Sequence, residues 1–260
     1  MTSAAWWGAV RVPQGSARRW RIGPFHLRVA RFAGEWRLER EVDKTDPLAD
    51  ELELAEAVEI DAEPLARVDR YGFAGDDEEL DLEVALADRA VVSRPEESFR
   101  LPAGERITLF VGTPLWIRIS AGGRLLSDEP ILRPSDTFFG QTTMEGELCY
   151  ASRTFCRARL EKTIRRPHRA LSAVHIQNLA EEPLPLERIK LPVPYLALYL
   201  AADGRLWTED VSFERREGAA DTSRLEKHPP NHAQGARLLA PARIDDSNLM
   251  KRAFASLFHW

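Results

Sequence analysis

The chain has 260 residues, 44% of them hydrophobic and 30% charged, with a formal net charge of −5. That composition belongs to a globular protein that can bury a large core without staples, and it excludes a disordered tail, a collagen-like fibre and a disulfide-knotted miniprotein. The near-neutral balance gives no overall pull toward nucleic acid or anionic lipid, and the length leaves room for one or two domains of about 150 residues each.

The N-terminal residues lack a basic start before an apolar run and do not read as a signal peptide. No apolar run approaches the roughly 18 residues of a membrane span. Residues 1–40 then carry eight Arg against Glu35 and Glu39, a net of +6. Residues 41–100 carry 20 acidic against 6 basic side chains, a net of −14. An acidic segment of this kind reads as a solvated face that pairs with arginines elsewhere, or as a docking surface.

The dominant periodicity is two, the signature of strands with one buried face. Phe25, Leu27 and Val29 alternate with His26, Arg28 and Ala30; Trp36, Leu38, Arg40 and Val42 alternate with Arg37, Glu39 and Glu41. Ala33-Gly34 between them has the size of a two-residue hairpin turn. Residues 48–59 place Leu48, Leu52 and Ala55 on one side and predict an acidic helical turn or two. Strands follow through Leu80–Leu86, Ile107–Val111 and Leu115–Ile119. The irregular stretch 126–143 is the candidate join between an N-terminal domain, 1–128, and a C-terminal domain, 129–260. Its polar residues Ser135, Asp136, Thr137 and Gln141–Thr143, with Glu145 and Glu147, read as a connector, the other reading being the lining of a pocket.

Further strands are predicted at 148–162, 171–179, 186–200 and 205–214, with Asp203-Gly204 as a hairpin turn and 217–243 as a long loop. At the C-terminus Asp245, Asp246 and Ser247 offer N-caps. Leu249, Met250, Ala253, Phe254, Leu257 and Phe258 then form an apolar helical stripe. The expected fold class is therefore all-β, a β-sandwich (one large or two packed) closed by a C-terminal amphipathic α-helix.

Motif chemistry is sparse. The chain lacks a phosphate loop, a dinucleotide fingerprint, a nucleophile elbow and a zincin motif, so no cofactor is expected. Cys149 and Cys156 stand seven apart, on opposite faces of a strand, and are expected as free thiols of a reducing, cytoplasmic compartment. His228 and His232 are four apart, but the intervening Pro229-Pro230 opposes a helix, so a polar loop rather than a metal pair is expected. Trp36, Trp116 and Trp207 fall in strands and are expected in the core.

The densest constellation is residues 153–169, seven Arg or Lys against one Glu. Guanidinium forks bind carboxylate and phosphate in bidentate fashion, so Arg153, Arg157, Arg159, Arg165, Arg166, His168 and Arg169 are the candidate ligand-binding residues. The other reading is a solvated face paired with the acidic segment.

The run Val174 to Tyr199, a strand, a Pro-rich turn and a second strand, resembles a recurring block of an uncharacterised prokaryotic domain-of-unknown-function family. The resemblance covers about 26 residues and carries no catalytic signature. It implies a prokaryotic protein and transfers no site residue.

The function expected from these observations is a non-enzymatic binding or adaptor protein. It would recognise a protein partner, a second copy or a small anion through charged sheet faces. One alternative is a hydrolase or lyase for an anionic substrate, with Arg157, Arg165 and Arg166 on the anion and His168 or His175 as general base. A histidine and a carboxylate converging in a concave pocket would favour that alternative. Another is a carbohydrate-binding or membrane-peripheral accessory protein, which exposed Trp rows would favour. Nucleic-acid binding is not favoured, because no recognised module is visible.

Overall fold

The structure is a computed structural model, and it describes residues 5–60, 62–140, 146–216, 222–233 and 235–245. The strands in chain order are β1 (Gly8–Arg11), β2 (Ser16–Ile22), β3 (Phe25–Phe32), β4 (Glu35–Val42), β5 (Leu52–Val58), β6 (Arg67–Gly72) and β7 (Glu79–Leu86). There follow β8 (Val91–Ser93), β9 (Phe99–Leu101), β10 (Arg106–Ala121), β11 (Arg124–Pro130), β12 (Ser135–Phe139), β13 (Glu147–Ala151) and β14 (Arg169–Asn178). The last are β15 (Leu184–Leu186), β16 (Ile189–Leu191), β17 (Leu198–Leu200), β18 (Leu206–Thr208), β19 (Asp210–Arg215), β20 (Thr222–Glu226) and β21 (Arg237–Ala240).

The chain is all-β. The expected β-sandwich with a closing C-terminal amphipathic helix is corrected: the described residues hold no α-helix, only 3-10 turns at Leu160–Lys162 and Val193–Tyr195. The apolar stripe from Leu249 to Phe258 lies outside the described residues. No helix among the described residues is long and apolar enough to cross a membrane.

Two compact units divide the chain. The first comprises Met1–Ala85, Leu115–Arg133 and Arg165–His168. Its antiparallel sheet has the order β5-β2-β3-β4-β6. The Ala33-Gly34 turn is present, with Phe32 opposite Glu35 and Gly34 at φ 70°. The expected helix at 48–59 is instead β5. Its carboxylates and the preceding Glu51 answer the arginines of β2: Arg19 pairs with Glu56 at 2.7 Å, and Arg21 reaches Glu51 at 3.6 Å. The register shifts between Arg19 and Arg21, and Ala55 at φ 43° absorbs the extra residue as a bulge. That bulge breaks the period-two pattern and makes the segment read as helical.

Alternation along β3 and β4 sends Leu27, Val29, Trp36 and Leu38 into the core. Arg31 and Arg40 are buried on that same face, opposite Trp36 and Leu27, and Arg28 and Glu39 are buried on the other. Each charge is answered. Arg28 and Glu39 stand opposite each other and pair at 2.5 Å; Arg28 also donates to Ala62 O, and Glu39 accepts from Leu65 N–H. Arg40 pairs with Asp69 and Glu129. Arg31 donates to the carbonyls of Phe32, Glu35, Gly75 and Asp77, with its guanidinium against the Trp36 and Phe73 rings. Five carboxylates of the −14 segment, Glu51, Glu53, Glu56, Asp69 and Glu78, thus pair with N-terminal arginines.

The second unit comprises Leu86–Pro114, Pro134–Ile164 and Arg169–Trp260. Here residues 106–114 of β10 pair antiparallel with β14, and β14 pairs parallel with β19, which pairs antiparallel with β20. Leu109, Val111, Val174, Ile176, Val211 and Phe213 are buried. The side chains between them on each strand therefore line the opposite face. The Asp203-Gly204 turn joins β17 to β18, Ala201 N–H donating to Arg205 O. The predicted loop 217–243 contains β20 and β21, whose single-apolar or short sequences carry little periodicity. Ser135–Phe139 is strand β12 rather than connector, and 141–145 lie outside the described residues.

Candidate functional site

The arginine-rich run does not lie on one strand face. The predicted strand 148–162 ends at Ala151 as β13, and an irregular segment follows. Arg153 and Arg159 are exposed and form no ion pair among the described residues. Arg157 pairs with Glu96 at 2.8 Å. Arg169 Nη1 donates to Gly112 O at 3.2 Å, which ties β14 to the end of its partner. These four belong to the second unit, whereas Arg165, Arg166 and His168 belong to the first. Arg165 is exposed; Arg166 donates to Leu48 O at 3.1 Å. His168 is buried beneath the β2–β3 turn, where a Cβ on Gly23 would lie 2.5 Å from its Nδ1. His168 is a packed group of that turn.

The other predicted chemistry is also placed. Both cysteines are free and buried, and burial pushes each thiol up to about 12. Neither is a nucleophile near neutrality. His228 Nε2 meets Glu226 at 3.1 Å, while the His232 ring stacks on Trp207 with centroids 6.1 Å apart. Among the described residues no three His, Cys, Asp or Glu side chains gather to hold a metal ion. Trp36, Trp116 and Trp207 are buried, as are Trp6 and Trp20.

A cleft of about 480 Å³ opens on the polar sheet face of the second unit. Register builds it. Thr108 of β10 lies opposite His175 of β14, which lies beside Ser212 of β19; Arg106, Gln177 and Glu214 form the next row. Glu226 of β20 completes the lining.

His175 is the centre of this face. Its Nδ1 lies 2.9 Å from Thr108 Oγ1, and its Nε2 lies 3.4 Å from Asp210 Oδ2. Asp210 is fully buried at the start of β19. Its Oδ2 also accepts from the Asn231 backbone N–H at 3.2 Å and from Asn231 Nδ2 at 3.1 Å. Its Oδ1 is buried too and accepts no hydrogen bond among the described residues. The bond to Asp210 raises the His175 pKa above the ordinary 6.5, against the opposing effect of burial. Nearly a third of the His175 side chain stays exposed, so the imidazole faces both the buried carboxylate and the cleft.

The remaining charges of the cleft are mostly spoken for. Glu226 accepts from Ser212 Oγ at 2.7 Å and pairs with His228. Glu214 pairs with Arg216 at 2.8 Å. Arg106 is exposed and forms no ion pair among the described residues. An oriented imidazole, two hydroxyls, an amide and a guanidinium thus converge on one concavity, the arrangement expected where ligands are recognised or protons moved.

Of these residues, sequence reasoning singled out only His175 as a candidate for chemistry. Thr108, Asp210 and Ser212 were missed. Alternation places Arg106 and Thr108, His175 and Gln177, and Ser212 and Glu214 on polar faces of their strands. Which strands adjoin, and in what register, is not written in one sequence.

No curated protein and no solved structure matches the chain. A family model described as a protein of unknown function, DUF432, matches residues 6–259. The chain therefore belongs to the DUF432 family.

Proposed function

We propose that this protein binds a small anionic ligand, a carboxylate or phosphate, in the His175 cleft of its second unit. The observation that carries this reading is the clamp on His175. A buried carboxylate favours its charged form, and the ring faces a cleft whose other cation, Arg106, has no carboxylate partner among the described residues. Gln177 and the hydroxyls of Thr108 and Ser212 add neutral hydrogen-bonding capacity along the same rows. The carboxylates of the lining are occupied by Arg216, His228 and Ser212, which leaves the site's unanswered charge positive.

The reading keeps a binding role on a charged sheet face and moves it from residues 153–169 to the cleft. A charge-paired homodimer is not favoured. Within the acidic segment Glu51, Glu53, Glu56, Asp69 and Glu78 are already paired with Arg11, Arg19, Arg21 and Arg40, and Arg157 is already met by Glu96. Trp6, Trp20, Trp36, Trp116 and Trp207 are buried and Trp7 is half-buried, so the described residues present no row of exposed Trp for sugar stacking. Two buried free thiols fit a reducing, cytoplasmic compartment.

The test is thermal unfolding with inorganic phosphate or succinate titrated in. A ligand that binds only the folded state raises the midpoint with concentration. Stabilisation is expected for the wild type and is expected to fall in Arg106→Ala and His175→Ala. Equal stabilisation in all three proteins would place the anion elsewhere.

A further inference from the structure

We propose that the cleft also hydrolyses small carboxylic esters, with Thr108 as nucleophile, His175 as base and Asp210 as the group that positions the base. This rests on the cleft being a ligand site and goes beyond binding. The three side chains form one chain of contacts, Thr108 Oγ1 to His175 Nδ1 and His175 Nε2 to Asp210 Oδ2. In the neutral ring Nε2–H donates to Asp210, which leaves the Nδ1 lone pair to accept the Thr108 O–H. A hydroxyl, an imidazole and a buried carboxylate in that order is the logic of an activated nucleophile, here with the two ring nitrogens exchanged.

Asp210 is built for the positioning role. Both Asn231 donors hold its Oδ2, its side chain is fully buried, and its second oxygen accepts nothing among the described residues. A carboxylate so placed fixes the tautomer of His175 and stabilises the imidazolium that forms. Thr108 is half-buried on the cleft wall, and Arg106 and Gln177 occupy the adjacent row. They are the donors available to a developing oxyanion.

Thr108 Oγ1 attacks the ester carbonyl carbon while its proton moves to His175 Nδ1. The tetrahedral adduct collapses, the bond to the alcohol oxygen breaks, and the alcohol leaves with the proton from Nδ1. Water then attacks the acyl–Thr108 ester, giving its proton to Nδ1. Thr108 departs as the hydroxyl, taking that proton back. The sum is ester plus water to acid plus alcohol. The acid formed is an anion, the class of ligand the cleft would hold.

The experiment follows p-nitrophenol release by the full chain from p-nitrophenyl acetate and from the p-nitrophenyl half-ester of succinate. Hydrolysis above buffer is expected, faster for the anionic half-ester. Thr108→Ala and His175→Ala are each expected to lose about 100-fold. Thr108→Ser, which keeps the hydroxyl, should retain activity, and acetylated Thr108 should appear in the digested wild-type protein. Arg157→Ala, outside the cleft, serves as the unchanged control. A wild type no faster than buffer, or a Thr108→Ala protein as fast as wild type, overturns the activity. Thermal stabilisation by succinate, measured on the same samples, separates the two readings: stabilisation without hydrolysis removes the activity alone.

Discussion

The two units use their charged residues in opposite ways. In the first, the buried arginines are each met by a carboxylate or by carbonyl oxygens, although Arg28 Nε and Arg40 Nη2 donate no hydrogen bond among the described residues. Arg28 meets Glu39, Arg40 meets Asp69 and Glu129, and Arg31 is enclosed by four carbonyl oxygens. In the second, Asp210 is buried with one oxygen answered and the other not, and it holds an imidazole whose far side meets a cleft. A closed network fixes a structure and leaves nothing for a ligand. A cation without a counter-charge beside a concavity, as Arg106 is among the described residues, is where an anion gains most. Density of charge along the sequence, as in 153–169, identifies neither.

The largest expected effect breaks the closed network. Glu39→Ala leaves the Arg28 guanidinium buried without its counter-charge, at a cost of about 3–5 kcal/mol in urea unfolding. The double change Arg28→Met with Glu39→Leu is expected to recover most of that, since a buried pair replaced by apolar groups is often neutral. A double variant no better than Glu39→Ala would show that the pair contributes shape rather than charge balance.

Next comes Asp210→Asn in the open network, at about 2 kcal/mol, the scale of a hydrogen bond to a charged group. Its effect depends on pH. The folded pKa of His175 lies above the ordinary 6.5 because of Asp210. The stability this adds is fully present below the unfolded value, while Asp210 is ionised, and is lost as pH rises through the folded value. The groups facing His175 are Asp210, Glu226, His232, Thr108 and Ser212. Of these only Asp210 is changed, so wild type and variant should converge in alkaline urea titrations and separate in mildly acidic ones. A gap independent of pH would remove His175 from the explanation.

Smaller still is Arg157→Ala. Its partner Glu96 is 60% exposed, so the loss should stay under about 0.5 kcal/mol. The smallest effect is on the thiols. With both raised to about 12, iodoacetamide should leave native Cys149 and Cys156 unmodified and alkylate them only after unfolding.

Much of the fold was legible because period two survives in single strands. The β3–β4 hairpin with its Ala33-Gly34 turn, the strand around Leu80–Leu86 and the Asp203-Gly204 turn each follow from local pattern. β5 was not legible, because a bulge at Ala55 disrupts alternation and its stability comes from cross-strand pairs with Arg19 and Arg21. β20 was not legible because Thr222–Glu226 contains one apolar residue, Leu225. The cleft escaped for a related reason. Thr108, His175 and Asp210 come from three strands far apart in sequence, and only their register makes them neighbours.

The most direct measurement is an NMR titration of the histidine side chains, with and without inorganic phosphate. His175 is expected to titrate above 6.5 without phosphate, and its pKa is expected to rise further when the anion binds. Asp210→Asn should bring it down. A His175 pKa that phosphate leaves unchanged, with the anion instead perturbing the amides around Arg153 and Arg159, would contradict the assignment of the cleft and return attention to the arginine-rich run.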